Sequence, residues 1–260
     1  MSKENYLEIA QIAVKAIDSK RGDDIEVIKV SDITVLTDYF VIATARTLNI
    51  MGKSVLVIDA TSDKKYKYIV PSIDNSNQYI TQYGEIDFAI GFESYESLEE
   101  FLKEKNIDIN LYSYVLLDVE NADMYNKFKS APVNKSYMYI DTNVLSVAKN
   151  DELVHKMRED NPEKELVFSK ILYRAYLSRA ATNYLEEKIN NYAVKWTDEV
   201  YDISTDEQDM MVNIDSQFSG LIDIRKHTKT YILYMCEYVS KILGDVSPKE
   251  ILKEIKRRKN

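Results

Sequence analysis

The apolar positions Tyr6, Ile9, Ala10, Ala13, Ala16 and Ile17 recur at the spacing of one helical face, which predicts an amphipathic helix over residues 6–17 ending near Arg21 and Gly22. The pattern then changes. Residues 25–30 and 38–44 are β-rich, and the second run, Asp-Tyr-Phe-Val-Ile-Ala-Thr, is apolar without alternation, as in a strand covered on both faces. From residue 51 onward, short apolar runs at 55–59, 86–92, 114–118, 137–141 and 165–169 alternate with helical stretches around 98–102, 153–157 and 171–189. This rhythm predicts an α/β protein with a mostly parallel, doubly wound sheet, its crossover helices on both faces, preceded by an α-β-β fragment. Toward the end, Ile232, Met235, Cys236, Val239, Ile242 and Leu243 keep one helical stripe, so Cys236 reads as a buried apolar residue and not as a nucleophile.

Composition narrows the function classes. A chain of 260 residues that is 45% hydrophobic can bury a substantial core. Lysine and arginine number 34 against 43 acidic residues, a net charge of −9, so no direct DNA binding is expected from the overall field. A single cysteine excludes an internal disulfide, and with only His155 and His227 besides, zinc sites built from cysteine and histidine are set aside. No stretch has the length of apolar sequence that a membrane span needs, and the opening Met-Ser-Lys-Glu-Asn lacks the apolar core of a signal peptide, so a cytoplasmic location is expected. The 20 tyrosines are scattered rather than gathered with basic residues, which suits half-buried packing better than a base-stacking platform.

Three predicted strands finish in aspartate: Asp59, Asp118 and Asp141. In a parallel sheet the carboxyl ends share one edge, where ligands dock, so these carboxylates are candidates to hold Mg2+ or a nucleotide. The alternative is that each merely turns the chain or caps the next helix. The acidic cluster Asp198, Glu199, Asp202, Asp206, Glu207 and Asp209 lacks the spacing of a calcium loop and reads as a solvated loop. Two distant histidines and no Gly-x-Ser-x-Gly elbow leave serine hydrolase chemistry without support.

Two stretches resemble known families. Leu7-Glu8-Ile9-Ala10, Val30-Ser31-Asp32 and residues 36–44, which include Thr37, Asp38, Tyr39 and Phe40, resemble the opening of the bacterial ribosomal silencing factor, or Iojap-like, family. That resemblance covers residues 3 to 45 and implies docking on the large ribosomal subunit, with translation repressed because subunit joining is hindered. The family's tryptophan-containing segment and its Asp-Tyr-Gly-Asp motif are not found; Trp196 stands in unrelated surroundings. Residues 48–61, Leu-Asn-Ile-Met-Gly-Lys-Ser-Val-Leu-Val-Ile-Asp-Ala-Thr, resemble the first helix's end and second strand of ParA/MinD-like ATPases, and Tyr114-Val115-Leu116-Leu117-Asp118 resembles their Walker B strand. The departure is the phosphate cradle. Such a loop needs glycines whose neighbouring N–H groups turn inward, and no two of the six glycines are five positions apart. Gly52-Lys53-Ser54 leads straight into a strand and reads as a turn. A third run, residues 140–146, resembles the opening of PIN-type ribonucleases, which implies Asp141 with Glu186 or Glu187 on magnesium.

The expected organisation is therefore a silencing-factor-like α-β-β fragment at 1–45, a ParA/MinD-like body without a P-loop at 46–245, and a basic helix at 246–260. Residues 39–44 would serve as a substitute first strand. Ser247 and Pro248 suit that last helix's cap and first position. Its cations include Lys253, Lys256, Arg257 and Arg258, and with Ile251, Leu252 and Ile255 they form a face for an anionic membrane surface or a partner, although so few apolar residues favour a solvated helix. Frequent lysine, asparagine, isoleucine and tyrosine suggest a low-GC bacterial source. The expected function is non-hydrolytic: a binding or assembly protein, as a homodimer or as partner of a larger machine of conjugation, secretion or pilus type, with no resident cofactor.

Overall fold

The computed structural model describes residues 35–70, 77–141, 144–160, 162–163, 165–174, 179–204, 206–219 and 223–258. The helix predicted at 6–17 and the strand at 25–30 lie outside the described residues, as do Leu7-Glu8-Ile9-Ala10 and Val30-Ser31-Asp32.

Residues 38–44, which the unbroken apolar run predicts as a strand, lie inside helix α1, Val35–Ile50. Tyr39, Phe40, Ile42, Ala43, Ala45 and Leu48 are all buried, so apolar contacts surround the helix. A helix apolar on every side carries no stripe for periodicity to detect, and only a core accommodates it. Thr44 and Thr47 fit because Thr44 Oγ1 donates to the Phe40 carbonyl and Thr47 Oγ1 to the Ala43 carbonyl, each at 2.8 Å, so neither of these hydroxyls needs water. Residue 45, the expected end of the first fragment, falls within this helix, and residues 39–44 are not a substitute first strand. Gly52, with φ of +77°, turns the chain into strand β1, Val55–Ala60, as the Gly-Lys-Ser turn predicts.

The described strands form two sheets. The first has the order β2 (Tyr79–Tyr83), β3 (Ile86–Ile90), β1, β4 (Tyr114–Val119), with β1 parallel to β3 and to β4. Strand β2 is not marked by the apolar pattern and pairs antiparallel with β3. Their tight turn places Gly84 and Glu85 at φ of +56° and +63°, the mirror-image turn that matches strand twist. The second sheet has the order β5 (Tyr137–Asp141), β6 (Val167–Arg174), β7 (Lys195–Ser204), all parallel. Residues 171–174, predicted as the start of a long helix, belong to β6. The solvated acidic loop predicted at 198–209 is instead strand β7 followed by helix α6, Glu207–Ser219. Among the described residues β7 pairs with β6 alone, and an edge strand can carry acidic side chains that blur its sequence signal.

Alternation along β1 organises the core. Val55 and Val57 join a cluster with α1, α7 (Lys229–Leu243) and α8 (Pro248–Arg257). Leu56, Ile58 and Ala60 face the other way, onto α2 (Tyr95–Glu104) and α3 (Ala122–Phe128). The second sheet repeats the arrangement. Ile171 and Tyr173 enter the first cluster, while Met138, Ile140, Phe168 and Leu172 pack on α4 (Val144–Asp160) and α5 (Arg179–Asn190). Both sheets are thus covered on both faces, the doubly wound arrangement that the βαβ rhythm predicts.

Cys236 is fully buried in α7, as its stripe predicts. Helix α8 begins as predicted, with Ser247 and Glu250 capping each other and Pro248 in the first turn. It is not a solvated helix, however. Ile251 and Ile255 are buried in the first cluster and Leu252 packs beside them, so its apolar residues serve the core and not a membrane. Lys253, Lys256 and Arg257 remain exposed. Arg258 instead reaches the end of α1, where its Nη1 donates to Asn49 O at 2.9 Å and Asn49 Oδ1 at 3.0 Å, placing a cation at the negative end of the helix dipole.

Candidate functional site

The carboxyl ends of β1 and β4 place Asp59 and Asp118 directly opposite each other as register partners. Both are buried. Asp59 Oδ1 accepts the Thr61 N–H at 3.0 Å and the Thr61 hydroxyl at 2.6 Å, the local turn that an Asp-x-Thr sequence favours. Its Oδ2 accepts the Tyr66 N–H at 3.2 Å. Tyr66 lies fully buried on the 3-10 turn Lys65–Tyr68, and its phenol donates to Asp118 Oδ2 at 2.8 Å. The segment after β1 therefore folds back over the strand ends and engages both carboxylates.

Glu120 continues this edge. It accepts the Ser62 N–H at 2.9 Å and pairs with Lys65 at 3.2 Å and with Lys149 of α4 at 3.1 Å. Asn121 Nδ2 donates to Ser62 Oγ at 2.6 Å, and Lys64 Nζ donates to the Phe92 carbonyl at 2.6 Å.

Burial sets the electrostatics. It pushes Asp118 up to about 6, aided by the charges of Asp59 and Glu120 and opposed by the Tyr66 hydroxyl and Lys65. Asp59 is raised for the same reason, against its bonds from Thr61 and Tyr66. Burial also disfavours ionised Glu120, but the Ser62 N–H and the two ammonium groups outweigh it and hold this carboxyl below its ordinary range. Adjacent buried carboxylates with raised pKa values tend to retain a proton, whereas Glu120 stays a committed anion.

Two of the three predicted aspartates are thus brought together. Asp141 ends β5 in the other sheet, opposite Tyr173. Among the described residues no group of three or more histidine, cysteine, aspartate or glutamate side chains is placed to hold a metal ion. Glu186 and Glu187 are exposed on α5, which leaves the ribonuclease-like reading without a gathered acidic centre there. Of the silencing-factor-like motif, Thr37 and Asp38 lie in α1, while Tyr39 and Phe40 are buried in the core, Phe40 packing 5.8 Å from the Tyr139 ring and 5.2 Å from the Tyr238 ring.

The chain pattern does not single out Tyr66, Glu120 or Lys149. Tyr66 is one aromatic among 20 tyrosines, within a polar stretch, and only the return of the chain over the sheet gives it a partner. A second buried constellation is also hidden from the sequence. Asp209 accepts the N–H and hydroxyl of Thr228, both at 2.8 Å, and lies 3.2 Å from His227 Nδ1, while Tyr231 stacks on the imidazole. Burial lowers the His227 pKa against the pull of Asp209. The arrangement ties the start of α6 to the start of α7.

Comparison with known proteins gives two findings. The profile of the family described as "ribosomal silencing factor during starvation" matches residues 3–78. No curated protein matches the chain. Among solved structures, a protein of Borrelia burgdorferi B31 described as a plasmid partition protein, bound to AMPPNP, superposes with a TM-score of 0.50 at 15% identity, covering 83% of this chain and 96% of that one. The likeness shows that the two chains share their mixed α/β, mostly parallel fold.

Proposed function

We propose that the chain is a ParA-like binding or assembly protein that works without nucleotide hydrolysis, as the partner of a larger bacterial machine of conjugation, secretion or pilus type. The observation that carries this reading is Tyr66. Its N–H and hydroxyl occupy Asp59 and Asp118 at the sheet edge where doubly wound folds receive ligands. An edge filled by the chain's own side chain has less to offer a nucleotide or its metal. The sequence ahead of α1 supports the same reading, since no glycine occurs between Gly22 and Gly52 to build a phosphate cradle. A fold kept without turnover serves through its surfaces. Calorimetric titration of the purified chain with ATP and Mg2+ is expected to give no saturable heat; saturable binding dependent on Mg2+ would overturn the reading.

A second reading is a silencing-factor-like protein that binds the large ribosomal subunit and represses translation. The profile match over residues 3–78 favours it. The helical state of residues 38–44, which the apolar pattern of that α-β-β fragment predicts as a strand, counts against it. Co-sedimentation with purified large subunits would support this alternative, and free protein left at the top of the gradient would remove it.

A further inference from the structure

The Glu120 carboxylate lies where the segment after β1 meets α4. Its Oε2 accepts the Ser62 N–H, and its Oε1 lies 3.2 Å from Lys65 Nζ and 3.1 Å from Lys149 Nζ. These side chains are largely withdrawn from water, at 12% exposure for Glu120, 15% for Lys65 and 29% for Lys149. One backbone N–H and two ammonium groups converging on a single pair of oxygens is a donor set suited to a phosphoryl oxyanion.

The backbone that carries these donors is positioned independently of Glu120. Thr61 and Tyr66, on either side of Ser62 and Lys65, are anchored on Asp59 and Asp118. The Lys65 N–H donates to Thr61 Oγ1 at 3.0 Å, and Ser62 Oγ is held by Asn121. Lys149 projects from a separate helix, α4, whose Val147 and Val154 are buried in the second sheet's core. The backbone of the seat is thus assembled by the fold, and Lys65 and Lys149 converge on Glu120, with the buried Asp118 also in the field of Lys65.

We propose that the Ser62 N–H, Lys65 and Lys149 form an oxyanion seat in which Glu120 stands in for the phosphoryl group of a ligand. The internal carboxylate then holds the strand-end segment in the arrangement that a bound phosphate would otherwise maintain. The proposal rests on the closed strand-end edge and goes beyond the function read from it.

Glu120→Ala removes the carboxylate that both partly buried ammonium groups contact, so the folded variant gains by taking an anion from solution. Inorganic phosphate is titrated into the purified full chain at low ionic strength and followed by calorimetry and thermal unfolding. Saturable binding to Glu120→Ala is expected, about tenfold or more tighter than to the wild-type chain, and lost again in Glu120→Ala with Lys149→Ala. Glu120→Gln keeps the side-chain shape and an acceptor for Ser62; it is expected to gain phosphate binding too, and it carries the test if the alanine variant does not fold. Absence of saturable binding in the folded variants, equal binding by the wild type, or an effect that chloride reproduces at the same ionic strength would overturn the proposal. ATP hydrolysis by the wild-type chain is a separate outcome, which sinks the non-hydrolytic reading and leaves this test standing.

Discussion

The phenolic oxygen of Tyr66 lies 2.8 Å from Oδ2 of Asp118, and both groups are buried. A carboxylate withdrawn from water depends on its donors, and this donor comes from a segment whose backbone also binds the neighbouring Asp59. Tyr66→Phe removes one hydroxyl and leaves the ring's packing. It is expected to destabilise the protein by about 1–3 kcal/mol near neutral pH, measured by urea unfolding, with a smaller loss in acid where Asp118 carries a proton. An equal loss at both pH values would show that packing, and not the hydrogen bond, is what the substitution disturbs.

The raised pKa of Asp118 makes stability depend on pH in a defined direction. Its carboxyl moves from 3.8 to about 6 on folding, so the folded chain holds the proton more tightly. The stability this adds is fully present below the unfolded value and is lost as pH rises through the folded one. Asp118→Asn is uncharged throughout. Its stability relative to wild type is expected to climb between about pH 4 and pH 7, by up to about 3 kcal/mol. Thermal unfolding midpoints of the two proteins across this range give the measurement, and parallel curves would contradict it. Asp59, raised as well, shares the titration, so the apparent value belongs to the pair.

Phe40 tests the conformation of the run that sequence pattern alone reads as a strand. In α1 its ring packs against Tyr139 of the second sheet and Tyr238 of α7. Phe40→Ala is expected to cost about 3–5 kcal/mol in chemical unfolding. A loss below about 1 kcal/mol would mean that this face of the helix is not in the core.

Helix α8 gives two graded changes. Ile251→Ala, at a fully buried position, is expected to lose about 2–5 kcal/mol, and Ser247→Ala, which removes the reciprocal cap, about 1 kcal/mol. If both are neutral in urea unfolding, the helix is not docked on the first cluster.

What the sequence discloses and what it hides follow from the same physics. Strand β1 is legible because a central, fully buried parallel strand is a short unbroken apolar run, β4 and β5 because each is an apolar-rich run ending in aspartate, and α7 because it is buried on one side only. That logic fails for α1: Asp38-Tyr39-Phe40-Val41-Ile42-Ala43-Thr44 is apolar because the helix is enclosed, which produces the same local pattern as an enclosed strand. Strand β7 fails in the opposite sense, since its acidic residues resemble loop chemistry. Of the candidate site, Asp59 and Asp118 are legible from their positions at strand ends, and Asp141 is misplaced because the pattern does not show that the described strands divide into two sheets. Tyr66, Glu120 and Lys149 depend on loop and helix placement that no local spacing encodes.

The hydrogen bonds from Arg258 to Asn49 span 209 positions of the chain, and the isoleucines of α8 complete the cluster that α1 enters. During synthesis the ribosome releases α1 long before it releases α8. Until then, nascent α1 has an exposed apolar surface and end carbonyls that lack this cation. Closure of this core is therefore a late event that waits for α8 to leave the ribosome, and until then the incomplete chain exposes apolar surface of the kind chaperones bind.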